Sequence, residues 1–241
     1  LTIKINELRE ITDWQIPIYV KLGATRVNDD VKLAVKAGAD VIVLDGMQGG
    51  TAATQQVFIE HAGIPTLPAL RQAIEALDEM DVLGEIQLII SGGIRTGADV
   101  AKALAMGADA VSIGQAVLMA LGCNSKSYFD GQQTINVEEE YQKLGTAPGY
   151  CHHCETGLCP VGVTTQLPDL EKRLQPDWGE RRLTNYLQTL NMELTTLARA
   201  CGKSNVHHLE REDLVALTVE SAAMAKVPLA GTDWIPGAKG I

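Results

Sequence analysis

No stretch of this 241-residue sequence approaches the roughly 18 apolar residues that a membrane-crossing helix needs. Basic charge is scarce: 20 Lys and Arg stand against 30 Asp and Glu, for a net charge of −10 and a pI near 5.0. Without a basic stripe, nucleic acid is not an expected partner, and an anionic membrane surface would repel the chain. The opening residues, from Leu1 to Glu7, lack the charged-then-apolar layout of an export signal. A cytoplasmic location is therefore expected. The chain begins with Leu rather than Met, which predicts a fragment or a processed product. There are five cysteines, an odd number, and three of them crowd into the nine residues 151–159. In a chain with no export signal, that crowding reads as metal binding rather than a disulfide framework. What is abundant is ordinary for a globular protein: 46% apolar and 21% charged residues.

Strands and helices alternate along the first half. Ile18–Leu22 is a short β-branched and aromatic run. Asn28 is placed to cap a helix over Asp29–Lys36 that stops at Gly38. Val41–Leu44 is a continuous apolar run, as suits a parallel strand covered on both faces. Helices are expected over Ala52–His61 and Leu70–Met80, then a strand over Ile86–Ile90, a helix over Ala98–Met106, a strand over Ala110–Ile113 and a helix over Gln115–Leu121. Ala37-Gly-Ala-Asp-Val41 and Met106-Gly-Ala-Asp-Ala110 repeat one helix-to-strand junction 69 residues apart, a spacing of two βα units. The pattern predicts a parallel sheet with right-handed crossovers. Only four such units fit before Cys123, too few to close an eight-stranded barrel, so N-terminal sequence or a partner is expected to supply the other half.

From Cys123 the composition changes. Residues 124–150 are polar and turn-rich, residues 151–167 hold the cysteine cluster, and the remainder reads as helical. Leu183, Leu187, Leu190, Leu194, Leu197 and Cys201 form one apolar stripe ended by Gly202, which predicts a packing face with Cys201 as a buried thiol. A last helix is expected over Glu212–Ala225, preceded by loop histidines His207 and His208.

Several residues could carry chemistry. Gly92 and Gly93 follow the third strand and Gly114 follows the fourth. Such turns let backbone N–H groups approach a phosphate, although tight βα turns alone also need glycine. Lys21 sits near the end of the first strand, either as a fixed positive charge beside a cofactor or as a snorkelling side chain on an exposed edge. The loop from Asp45 to Thr51 offers a carboxylate, an amide, a hydroxyl and close backbone approach. Cys151-x2-Cys154-x4-Cys159-Pro160 is compact enough for its thiolates to face one centre. Iron–sulfur ligation is the first reading, and zinc, with His152 and His153 adjacent, is the competitor.

These motifs, taken in order, resemble a known family. Lys21-Leu-Gly23, Gly46–Thr51, Ser91-Gly-Gly-Ile-Arg-Thr-Gly-Ala-Asp99, Ala120-Leu-Gly-Cys123 and Cys159-Pro-Val-Gly-Val-Thr-Thr-Gln166 look like the FMN-binding synthase domain of glutamate synthase. The resemblance implies an α/β fold: the C-terminal half of a (β/α)8 TIM barrel over 1–122, an insertion and iron–sulfur loop over 123–167, and a helical extension over 168–241. It implies an oxidoreductase that makes L-glutamate from 2-oxoglutarate and ammonia through 2-iminoglutarate. The cofactors would be FMN and a three-iron cluster. Lys21 and Gln48 would be catalytic. Lys21, Gly49, Gly50, Thr51, Ser91, Gly92, Gly93, Gly114 and Gln115 would hold the flavin. Cys123, Cys154 and Cys159 would be cluster ligands, with Cys151 a fourth that makes a four-iron cluster possible. Ferredoxin or an NAD(P)H-oxidising subunit would supply electrons, and an amidotransferase partner could supply ammonia.

The sequence departs from the family in three ways. About thirty residues separate Cys123 from Cys154, where the family has only a few. The family's His-Asp-Gly-Gly is here Met47-Gln48-Gly49-Gly50. The first half-barrel and the amidotransferase domain are not in the sequence. Over the tail, Glu139–Thr146 and Ala200–Ser204 resemble the synthase-like subunit of methylamine–glutamate N-methyltransferase, which implies amine transfer onto glutamate as an alternative. A non-catalytic electron-transfer subunit is a third reading.

Overall fold

The computed structural model describes residues 1–49 and 56–237. After α1 (Thr2–Ile11), four strands alternate with helices. The order is β1 (Tyr19–Gly23), α2 (Val27–Lys36), β2 (Val41–Asp45), α3 (Gln56–His61), α4 (Thr66–Glu79), β3 (Gln87–Ser91), α5 (Gly97–Ala105), β4 (Ala110–Ser112) and α6 (Gln115–Leu121). The strands pair in parallel in their chain order, β1-β2-β3-β4. The register aligns Gly23 with Asp45, Asp45 with Ser91, and Ser91 with Ser112, so the C-terminal ends form one rim.

Alternation along the strands separates two faces. Val20, Ile42, Leu44, Leu88 and Ile90 are buried in one core with Val31, Leu70, Leu77, Val100 and Leu104 of the covering helices. Burying one Leu or Ile side chain contributes about 1.5–3 kcal/mol, so this face accounts for most of the fold's driving force. On the other face Tyr19, Lys21, Gln87, Ala110 and Ser112 are exposed. Only the interior strand β2 approaches burial on both sides. Among the described residues β1 and β4 each pair along one edge only.

The repeated Gly-Ala-Asp has a physical cause. Gly38 and Gly107 end α2 and α5 with φ of +96° and +104°, the left-handed region that glycine favours. The next alanine is buried and its N–H reaches back into the helix, from Ala39 to the carbonyl of Ala34 and from Ala108 to that of Ala103. Asp40 then accepts the N–H of Ile18 at 2.6 Å, and Asp109 that of Leu88 at 2.7 Å. Each corner thus ties the incoming strand to the start of its neighbour. Asp40 has a further partner, Arg9 of α1, at 2.9 Å.

Beyond α6, β5 (Ser127–Phe129) and β6 (Thr134–Asn136) form an antiparallel hairpin, followed by α7 (Glu138–Lys143). This segment has its own small core of Val137, Tyr141 and Val161. Next come α8 (Pro168–Glu171), α9 (Pro176–Ala200) and α10 (Val219–Ala225). Leu194 and Ala198 of α9 and Leu209 join the main core. Among the described residues no helix is long and apolar enough to cross a membrane.

Four expectations are corrected. Asn28 lies inside α2, whose N-cap is Arg26 without a side-chain cap, because the helix starts at Val27, two residues earlier than the Asp pair suggests. Helix α4 begins at Thr66, not Leu70; Pro68 falls in its first turn, where a missing N–H costs nothing. Cys201 is exposed, because α9 turns its Leu190, Leu194 and Ala198 side to the core and leaves Leu187 and Leu197 outside. The last helix is Val219–Ala225; the stretch from Glu212 instead opens with a 3-10 turn, Arg211–Asp213, and does not join it. The expected start of a helix at Ala52 lies outside the described residues.

Candidate functional site

The rim made by the C-terminal strand ends carries most of the expected site residues. Lys21 of β1 and Asp45 of β2 share the exposed face, and their Nζ–Oδ2 separation is 2.9 Å. The lysine side chain is 61% exposed and the aspartate 16%. The second oxygen of Asp45, Oδ1, is buried without a hydrogen-bond partner among the described residues. Gly49 closes a 3-10 turn, Met47–Gly49, against this carboxylate: a Cβ there would lie 2.0 Å from Oδ1. Gly50 and Thr51, expected to continue the flavin contacts, lie outside the described residues.

Gln48, expected to be catalytic, uses its carbonyl oxygen structurally: Oε1 accepts from both the N–H and the hydroxyl of Thr66, each at 2.9 Å. Its side chain also lies over the next loop, where a Cβ on Gly93 would come within 3.3 Å of it. Ser91 ends β3, and its carbonyl accepts the N–H of Gly46 at 2.9 Å. Gly92 and Gly93 have φ of +105° and +75°. A Cβ on Gly92 would meet Thr66 Oγ1 at 2.8 Å and Gly49 N at 3.0 Å, so glycine is what lets the two loops close on each other. Gly114 caps α6 without a side-chain hydrogen bond, nothing lies within 4 Å of where its Cβ would be, and Gln115 follows it exposed.

The start of α5 is already occupied. Asp99 accepts from the N–H groups of Arg95 and Thr96, both at 3.0 Å, and Glu193 of α9 takes that of Gly97 at 2.8 Å. Tyr186 of α9 donates to the carbonyl of Arg95 at 2.9 Å. The first turn of α5 is thus less open to an anion than the Gly92–Gly93 and Gly114–Gln115 loops, where Gly93, Gly114 and Gln115 are exposed.

Cys123, Cys151, Cys154 and Cys159 are free and half-buried. Asn124 ties two of them, donating to Cys123 Sγ at 3.6 Å and accepting the N–H of Cys151 at 2.8 Å. Burial pushes the Cys123 thiol up to about 11, with Cys159, Cys154 and Cys151 adding to the rise. Burial likewise raises Cys151. Tyr141, which sequence reasoning missed, packs with Cys151 and Cys159, and its buried hydroxyl has no partner among the described residues. Its ionisation is pushed up by burial first, then by Cys151, Cys159 and Cys123. Four neighbouring thiols and a donor without an acceptor fit a thiolate-bound group in donor chemistry. They do not form an assembled shell: among the described residues no three His, Cys, Asp or Glu side chains converge on a metal position.

Helix α9 relates this region to the rim. Gly179 packs against Leu121, two residues before Cys123, and Tyr186 reaches Arg95. Seven residues of helix span about 10 Å.

A family model described as "Conserved region in glutamate synthase" matches residues 1–128 and 145–204. The chain belongs to the glutamate synthase family. A Rhizobium meliloti protein named glutamate synthase large subunit-like protein is 60% identical over 237 residues, 98% of this chain and 52% of its own length. An archaeal glutamate synthase (NADPH) from Methanocaldococcus jannaschii is 37% identical over 206 residues, 85% of this chain and 36% of that protein. The chain thus spans about half or less of these relatives. A flavocytochrome b2 structure with sulfite bound shares the fold, with a TM-score of 0.51, 17% identity and coverage of 86% of this chain and 37% of that one.

Thr66 is the other site residue missing from the sequence reading. No motif marks it, because its role depends on contacts with residues 18 and 26 positions away.

Proposed function

We propose that this chain is the flavin-binding half of a glutamate synthase-type oxidoreductase that reduces 2-iminoglutarate, formed from 2-oxoglutarate and ammonia, to L-glutamate. The observation that carries the reading is the rim itself: paired glycines with positive φ after β3, an uncovered glycine after β4, and a Lys21–Asp45 pair on the same face. The Gly92–Gly93 and Gly114–Gln115 backbone would hold the phosphate of FMN. That cofactor supplies hydride chemistry when bound. Lys21 places a positive charge where a dianionic substrate or an anionic ring would sit. Gln48 shapes the substrate side of the rim from its anchor on Thr66, and Gly49 to Thr51 would continue that wall. The exposed sheet face suits completion of a (β/α)8 barrel by further sequence or a partner, in keeping with a chain that covers 52% of its Rhizobium relative.

Cys123, Cys154 and Cys159, with Cys151 as a fourth, would hold an iron–sulfur cluster. Such a group supplies one-electron chemistry near a flavin. Ferredoxin or an NAD(P)H-oxidising subunit is the expected donor, and an amidotransferase the expected ammonia source.

The visible spectrum of the purified, reconstituted protein tests both assignments. Flavin bands with a broad iron–sulfur absorption are expected, and Cys159→Ser should remove the second while leaving the first. A protein that binds no FMN overturns the flavin reading. An absorption untouched by Cys159→Ser, or a colourless zinc protein, overturns the cluster.

A further inference from the structure

We propose that Thr66 is a positioning residue that aims the Gly93 N–H at the ligand side of the rim. Among the described residues Thr66 is the one buried side chain that is neither aliphatic nor aromatic, at 3% exposure. A buried hydroxyl is costly unless it is hydrogen-bonded, and this one has three acceptors in reach: Gly92 O at 2.8 Å, Gln48 Oε1 at 2.9 Å and Ser91 O at 3.2 Å. It has one proton to give. The Thr66 N–H already serves Gln48, so the hydroxyl is free to serve Gly92, its nearest acceptor.

That bond has a geometric consequence. In a trans peptide the C=O and the following N–H point in opposite directions. Drawing the Gly92 carbonyl toward buried Thr66 turns the Gly93 N–H outward, and Gly93 is exposed. The space Thr66 occupies is kept open by two glycines: a Cβ on Gly46 would lie 2.0 Å from its hydroxyl oxygen, and one on Gly92 2.8 Å. Thr66 also joins the two loops, since the Gln48 amide that borders Gly93 is held by the same residue. The assignment of the outward N–H to a phosphate rests on the flavin reading; the peptide orientation does not.

The test compares Thr66→Val, which keeps the shape and loses the hydroxyl, with Thr66→Ser, which keeps the hydroxyl. FMN affinity is read by quenching of flavin fluorescence, and amide hydrogen exchange over residues 91–94 is read without ligand. Thr66→Val is expected to bind FMN about tenfold more weakly and to change exchange at Gly93 about tenfold, while Thr66→Ser stays within about threefold of the parent in both. Exchange at Gly93 unchanged by Thr66→Val, or a change that Thr66→Ser shares, overturns the proposal. A parent protein that binds no FMN sinks the flavin reading, and the exchange comparison still decides the role of Thr66.

Discussion

The two rims of the sheet are held in different ways. At the rim where the strands begin, each Gly-Ala-Asp corner answers its own backbone: the glycine ends the helix, the alanine closes the turn, and Asp40 or Asp109 takes the N–H of the neighbouring strand. At the rim where the strands end, the partners come from far along the chain. Glu193 and Tyr186 reach the β3 loop from 96 and 91 residues away. The local rim is legible as a short repeat, whereas the rim that carries the candidate site is shaped by contacts that no local pattern records. A site can change its loops without disturbing corners that look after themselves.

The strongest way to break this comparison is to force α9 off the second rim. A Cβ on Gly97 would lie 2.4 Å from Leu190 O and 2.6 Å from Leu194 N, both backbone atoms of α9. Neither can rotate away, so Gly97→Ala must push α5 and α9 apart, although both join the core, and must stretch the bond from Gly97 N to Glu193. We expect a loss of about 3 kcal/mol, and a thermal midpoint lower by roughly 10 °C. A midpoint within 2 °C or so of the parent would mean that α9 rides loosely on α5, and the long-range account of this rim would fail.

How far the sequence could be read follows the same division. The four parallel strands, the Gly-Ala-Asp echo and the bounds of α6 at Gln115–Leu121 were all within reach of local pattern and turn chemistry. The start of α4 was not: Pro68 looks like a helix breaker unless one knows that Thr66 is capped by Gln48, eighteen positions earlier. Cys201 illustrates another limit. Spacing of four and three identifies an apolar stripe but not the rotation of the helix against its neighbour, and α9 presents Leu190, Leu194 and Ala198 instead. Of the site, the glycines and cysteines were visible as types at a spacing. That Glu193 takes the N–H at the start of α5, and that Tyr141 lies among the thiols, required the tertiary contacts.

The first rim offers a smaller effect and an internal control. Asp40 and Asp109 occupy equivalent corners, but among the described residues only Asp40 also pairs with an arginine, whose side chain is 14% exposed. Asp40→Ala leaves the Ile18 N–H without its acceptor and the Arg9 guanidinium with the Gly38 carbonyl but no carboxylate, and should cost about 2 kcal/mol; Asp109→Ala strands the Leu88 N–H alone and should cost about 1 kcal/mol. The two differ in pH dependence as well. The hydrogen bond from Arg9 holds the Asp40 carboxyl below its ordinary value of 3.8, with the Ile18 N–H and the arginine charge acting in the same direction against burial. The folded state therefore binds fewer protons than the unfolded chain in that window, so this contribution is complete above pH 3.8 and is lost as the pH falls through the lower folded value. Denaturant titrations at pH 7 and near pH 3 check it: the cost of Asp40→Ala should shrink in acid. An equal cost at both pH values would show that the carboxylate's charge is not what the corner uses.

The smallest stability effect belongs to the most functional-looking side chain. Lys21 pairs with Asp45 at 2.9 Å, yet its side chain is 61% exposed, and water can take the place of its ammonium. Pairs of that kind contribute about 0–1 kcal/mol, so Lys21→Ala should shift the unfolding free energy by less than about 1 kcal/mol. Asp45 keeps its turn contact with Gly49 whether or not the lysine is present. If the lysine's purpose is electrostatic support of a reaction at the rim, the same substitution should slow reoxidation of the reduced flavin by 2-oxoglutarate plus ammonia by tenfold or more. FMN affinity should stay within about threefold of the parent, since the proposed phosphate contacts would come from other loops. Stability and flavin binding left intact while turnover falls would separate this residue from every corner aspartate. Equal losses in all three measurements would place Lys21 with the structural residues and remove the charge from the mechanism.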